Sequence, residues 1–156
     1  MQSAVILSTQ GVFVPDTTER RYSELIHPLH AVLLAGTVPL FLGAVLSDSA
    51  YASSYQIQWS NFASWLIAGG LVFGGLALLL ALVDLCRADR RARGIVPYVG
   101  AMLATWVLGF LNALMHARDA WAIMPTGLAL SVIVILLALV ATWFGFGTPR
   151  LGESRK

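Results

Sequence analysis

The sequence predicts an all-α fold: a polytopic membrane protein built as a four-transmembrane-helix bundle. The first observation is four runs without Asp, Glu, Lys or Arg, at Leu29–Leu46, Phe62–Val83, Ile95–Met115 and Ala120–Thr148. Each is long enough to cross a hydrocarbon core of ~30 Å as a helix rising ~1.5 Å per residue. The second is composition: with 58% of its residues hydrophobic and 12% charged, the chain lacks the polar surface of a soluble domain. The third is the placing of its basic residues. Arg20 and Arg21 precede the first run; Arg87, Arg90, Arg91 and Arg93 lie between the second and third; Arg150, Arg155 and Lys156 follow the fourth; Arg118 is the one exception. The positive-inside rule then sets both termini and the 84–94 loop in the cytoplasm, and the 47–60 and 117–124 loops outside.

The elements follow in order. Residues 1–26 form an N-terminal tail with a short interfacial helix. Asp16 and Glu19 have capping-box spacing, and Tyr22, Leu25 and Ile26 share a helical face opposite Glu19, Arg20, Arg21 and Glu24. No basic residue precedes the short apolar run Ala4–Leu7, so the first span is expected to act as an uncleaved insertion signal. The transmembrane domain covers 27–146, with spans near 28–47, 61–84, 95–116 and 124–146, and 147–156 is a cytoplasmic tail. Pro28 suits the first turn of span one, Pro39 should kink it, Ser60 or Asn61 can cap span two, and Pro125 can open span four. Tyr51, Tyr55 and Trp59 recur every four residues in the outer loop, a stripe that suits a short helix at the interface. Gly70-x-x-x-Gly74 and Gly109-x-x-x-Ala113 permit close helix approach, either inside the bundle or across a homodimer.

The net charge of +2 reflects membrane-flanking arginines rather than a nucleic-acid surface. The single cysteine, Cys86, rules out an internal disulfide and reads as an inert thiol. Ionisable groups at membrane depth are costly and therefore draw notice. His27 and His30 share a face at the cytoplasmic side, level with Asp84, where a His–Asp pair can form. Thr105, Gly109, Asn112 and His116 are spaced four, three and four apart and form one small or polar stripe on the third span. That stripe should face the bundle, because lipid offers Asn112 no partner. His116 then opens outward beside Arg118 and Asp119. Either these groups knit the helices together or they form a ligand or partner site. His27 and His30 lie roughly 20 residues of helix, or ~30 Å, from the level of His116, so histidines from different helices cannot share one haem or metal ion in a protomer. A haem held by His116 and Met124 stays open, as does a quinone near Asn112 and His116. No metal site and no catalytic residue is expected, and the enzyme motifs of phosphate loops, Cys pairs and nucleophile elbows are missing from the sequence.

Several local sequences carry a resemblance. His27-Pro28-Leu29-His30 opens span one, followed by Pro39, Asp48 and Tyr51, then Ile57-Gln58-Trp59-Ser60-Asn61-Phe62, the glycine-rich second span and Asp84. Asn112-Ala113-Leu114-Met115-His116-Ala117-Arg118-Asp119-Ala120-Trp121 and Pro125 complete it. Over about residues 26–146 the pattern resembles bacterial four-helix membrane proteins of domain-of-unknown-function family 2231; Val38 departs from the aromatic expected before Pro39. The resemblance implies a respiratory accessory role beside periplasmic sugar dehydrogenases and c-type cytochromes. The expected function is a non-catalytic docking or electron-transfer subunit of the inner membrane. Its outer surface would be made by Asp48, Tyr51, Trp59, His116, Arg118, Asp119 and Trp121. A haem- or quinone-dependent oxidoreductase subunit and a small carrier or structural bundle are the rival readings. Removing His116 and Arg118 together is expected to cost function before stability.

Overall fold

A computed structural model describes residues 28–86, 95–118 and 123–147. The N-terminal tail, where an interfacial helix is expected, His27, the arginines of the 87–94 segment, Asp119, Trp121 and residues 148–156 lie outside the described residues. Four helices are present: α1 (Pro28–Ser54), α2 (Ile57–Cys86), α3 (Ile95–His116) and α4 (Thr126–Gly147), each long and apolar enough to cross a membrane. Among the described residues there is no strand.

Neighbours in sequence pack side by side, and α4 closes the ring against α1. His30 on α1 meets Tyr98 on α3, and Asp48 meets His116; both pairs are separated by 68 residues. The two diagonal helices therefore run parallel and in register. Gly145 near the end of α4 lies against Leu34 and Tyr98, so α4 runs the other way. Gly70 of α2 lies against Phe41, while Gly36 lies against Phe73 and Gly43 against Leu66, which makes α2 antiparallel to α1. The bundle thus has a terminal end, where α1 starts and α4 finishes, and a hairpin end, where α1 turns into α2.

Its surface and interior are reversed relative to a protein in water. Leu79, Val72, Trp65, Phe110, Leu136 and Trp143 are exposed, while Asp48, Asn112, His116 and Ser131 are buried. Such an apolar exterior is stable against lipid tails and costly against water. The interior is layered. Leu33, Leu34, Ala77, Ala81, Tyr98, Met102 and Ala141 pack near the terminal end, and Phe41, Ala44, Ile67, Val134 and Ala138 pack beside them toward the middle. Small residues make this possible. A Cβ at Gly70 would lie 2.8 Å from the Phe41 ring, and one at Gly109 would lie 3.3 Å from its edge, so Phe41 fills space left by two glycines on two other helices. The helix-packing expectation for these glycines is met inside the bundle. At Gly75 the missing side chain lets the Trp106 indole approach and donate to the Leu71 carbonyl at 3.2 Å.

The 47–60 segment departs from its expected loop form. α1 continues to Ser54 and α2 begins at Ile57, leaving Tyr55 and Gln56 between them. Serine hydroxyls satisfy the polar stretch locally: Ser49 donates to Val45 O at 2.8 Å and Ser54 to Ala50 O at 2.6 Å. Tyr55 takes the left-handed conformation, φ 53°, that stops α1. Ser60 consequently lies inside α2, buried, rather than capping it. α1 also runs without interruption through Pro39. Pro125 precedes α4, and its carbonyl accepts from Ala129 N at 3.1 Å.

Candidate functional site

Periodicity positions the site. On α1, Thr37, Phe41, Ala44, Asp48 and Tyr51 repeat at four and three residues; on α3, Met102, Thr105, Gly109, Asn112 and His116 do the same, and all are buried. Both stripes face the bundle axis. Where they end in polar groups, at the hairpin end, a four-residue cluster forms across three helices.

Asp48 is 0% exposed and stands at its centre. Its Oδ1 lies 2.8 Å from His116 Nε2 and its Oδ2 accepts from Ser131 Oγ at 2.5 Å. Ser131 in turn accepts from Asn112 Nδ2 at 2.7 Å, and His116 Nδ1 donates to the Asn112 carbonyl at 3.0 Å. Gly127 gives the imidazole room, since a Cβ there would lie 3.1 Å from His116 Cε1. Asp48, His116 and Ser131 therefore clasp α1, α3 and α4 together in a buried setting, where hydrogen bonds to charged groups are strong. Among the described buried side-chain atoms, Asn112 Oδ1 stands without a hydrogen-bond partner.

At the terminal end, His30 Nε2 and Tyr98 Oη are 2.7 Å apart, with the rings edge to face. His30 thus meets Tyr98, while His27, the other histidine of the expected cluster with Asp84, lies outside the described residues. The two α1–α3 bridges are 18 residues apart on each helix, from His30 to Asp48 and from Tyr98 to His116, a rise of ~27 Å that matches a bilayer's apolar thickness. Between them the hydroxyls of Thr37 and Thr105 turn back to their own helix, onto Leu33 O and Ala101 O.

The expected outer surface is divided by this arrangement. Asp48 and Tyr51, 0% and 3% exposed, lie inside the bundle, because α1 stays helical and carries its buried stripe past residue 47. His116 is buried with them. Trp59 and Arg118 are exposed. Tyr51 and Tyr55 still contact each other edge to face, at 6.0 Å between ring centroids. Haem does not fit His116, whose two ring nitrogens already meet Asp48 and the Asn112 carbonyl; Met124, half-buried, has no iron-ligating partner in that imidazole. Among the described residues no group of His, Cys, Asp or Glu converges as a metal site. Ser131 is the member that sequence reasoning missed. Its signal was a lone hydroxyl amid the apolar residues 127–141 of the fourth span.

No curated protein and no solved structure matches the chain. The family model described as "Predicted membrane protein (DUF2231)" matches residues 26–148. That match spans the four helices and the buried cluster, and the chain belongs to this family of membrane proteins.

Proposed function

We propose that the chain is a non-catalytic accessory subunit of the bacterial inner membrane, with both termini cytoplasmic, that docks an extracytoplasmic sugar dehydrogenase or its cytochrome c partner. The observation that carries this reading is the hairpin end. α3 stops at His116, level with Asp48, but α1 runs on to Ser54, ~9 Å further. The projecting α1–α2 tip presents Tyr55, Gln56, Ile57, Gln58 and Trp59, all exposed. Aromatic residues backed by a rigid support suit a docking contact, and the Asp48–His116–Ser131 clasp lies directly beneath. The family resemblance supplies the class of partner; the basic residues supply the sidedness.

Orientation is tested first. A reporter active only in the cytoplasm should work when fused at Lys156 and fail when inserted at Ser54; the reverse result reassigns the tip to the cytoplasm. Docking is tested by Trp59→Ala combined with Arg118→Ala at matched expression. Capture of the dehydrogenase should fall about tenfold, the effect of losing roughly 1.4 kcal/mol at a contact, with a matching loss of sugar-driven oxygen uptake. The Arg118 share should fade with added salt. Unchanged capture and uptake would reject docking and favour a purely structural bundle.

A further inference from the structure

We propose that Asp48, Asn112, His116 and Ser131 form a reversible proton-binding site, loaded from the hairpin side of the membrane. This site does not depend on what docks at the tip. It rests on counting hydrogens.

The Asn112 carbonyl can only accept, so His116 Nδ1 carries a hydrogen. Ser131 Oγ receives a hydrogen from Asn112 Nδ2, so its own hydroxyl hydrogen points to Asp48 Oδ2. One proton is then shared between Asp48 Oδ1 and His116 Nε2. With that proton on Nε2 the pair is a carboxylate and an imidazolium, electrically neutral as a whole. Remove that proton, and two acceptors face each other at 2.8 Å; the clasp between α1 and α3 is lost.

A second proton has a place to go. The orphan Asn112 Oδ1 marks it. A half-turn of the Asn112 amide exchanges its oxygen and nitrogen, leaving heavy atoms where they are. The Ser131 hydroxyl can then swing from Asp48 Oδ2 to Asn112 Oδ1. Asp48 Oδ2 takes a proton from the aqueous phase and donates it in a hydrogen bond to Ser131 Oγ, while Oδ1 still accepts from His116 Nε2. The carboxylate becomes a carboxylic acid, His116 is the imidazolium, and the cluster gains one positive charge. In both states the Asn112 amide has one unpartnered polar atom. The two directions of the chain are therefore matched in hydrogen bonds, which suits exchange of a proton better than a permanent structural bond.

The site lies nearer the hairpin side than the terminal side. His116 is the last residue of α3 and lies at the hairpin end. Toward the terminal end, Phe41 is 2% exposed and packed against Gly70 and Gly109, with Leu34, Met102 and Val134 also buried. Thr37 and Thr105 offer no relay, because each is spent on its own helix. Few other titratable groups face the site. On α1, Tyr51 is one turn beyond Asp48; on α3, Arg118 follows His116; α4 contributes none within Thr126–Gly147; α2 contributes Asp84 and Cys86, both at the far end.

Infrared difference spectra of the full chain, in vesicles that hold it in one orientation, test the site. Acidifying the hairpin side should produce the stretch of one newly protonated carboxyl; acidifying the terminal side should not. Ser131→Ala removes the acceptor of the acid proton and should move that band to higher wavenumber, and Asp48→Asn should abolish it. Phe41→Ala should let acid from either side produce it. A band absent at every pH, unmoved by Ser131→Ala, or raised equally from both sides in the unaltered chain would overturn the proposal. Should Asp48→Asn fail to insert, the Ser131→Ala shift and the sidedness still decide it.

Discussion

Replacing His116 with alanine is expected to destabilise the bundle by about 3–5 kcal/mol, the usual cost of stranding one partner of a buried charged pair. Asp48 is fully buried, and loss of the imidazole would leave its Oδ1 with neither counter-charge nor donor. Three helices depend on that carboxylate, because Ser131 on α4 shares it. Asp48→Leu combined with His116→Leu should cost less than the sum of the two single changes, since the pair removes both ends of the Asp48–His116 bond, while the Ser131 hydroxyl loses its Asp48 partner. Arg118→Ala should change stability by no more than about 0.5 kcal/mol: its side chain is exposed, with a long 3.9 Å contact to the Met115 sulfur. Unfolding of five variants in detergent checks this: His116→Ala, Arg118→Ala, the two single leucine changes and their combination. Equal stability of His116→Ala and Arg118→Ala would show that the clasp contributes little. Burial thus separates two residues that sequence alone grouped in one outer site, where function was expected to suffer before stability.

The spans were legible because lipid imposes a demand that shows in one dimension: a helix must carry about twenty apolar residues, whatever it packs against. The α3 stripe was legible for a related reason, since Asn112 in lipid has no acceptable partner outside the bundle. Asp48 was misread as a surface residue because Ser47, Asp48, Ser49 and the following Ser-rich stretch look like a loop. A helix can absorb serines by bonding them to its own carbonyls, as Ser49 and Ser54 do. The four-and-three spacing from Thr37 through Phe41 and Ala44 continues to Asp48 and Tyr51, and that was the signal for burial. No Gly or Pro marks the turn after Ser54; Tyr55 bears the left-handed φ instead, so neither helix boundary there had the usual sign. The pairing of Asp48 with His116, 68 residues apart, depends on which helices stand diagonally, and no local pattern encodes that.

Gly70→Ala should be the more damaging of two outwardly similar changes in the Gly70-x-x-x-Gly74 motif. A Cβ at Gly70 would stand 2.8 Å from two carbons of the Phe41 ring, closer than packed carbon atoms tolerate. That ring cannot simply withdraw. Gly109 on α3 holds its other side, where a Cβ would lie 3.3 Å away, and Phe41 is 2% exposed. The strain must move α1 and α2 apart or force the ring off its rotamer, at about 1–3 kcal/mol. At Gly74 the nearest atom to a new Cβ is Thr37 Cγ2 at 3.5 Å, an ordinary contact, so Gly74→Ala should be close to neutral. Alanine also favours the helix over glycine by up to ~1 kcal/mol, which offsets part of the cost at Gly70 and can make Gly74→Ala mildly stabilising. Leucine at either site should lower folding yield, because its longer side chain must enter the α1–α2 contact. Phe41→Leu introduced with Gly70→Ala should recover stability relative to Gly70→Ala alone, since a smaller side chain then faces the added methyl group. Thermal unfolding of Gly70→Ala, Gly74→Ala and the Phe41→Leu/Gly70→Ala pair in one detergent decides the matter. Equal behaviour of Gly70→Ala and Gly74→Ala, with no recovery from Phe41→Leu, would place the close contact somewhere other than the Phe41 ring.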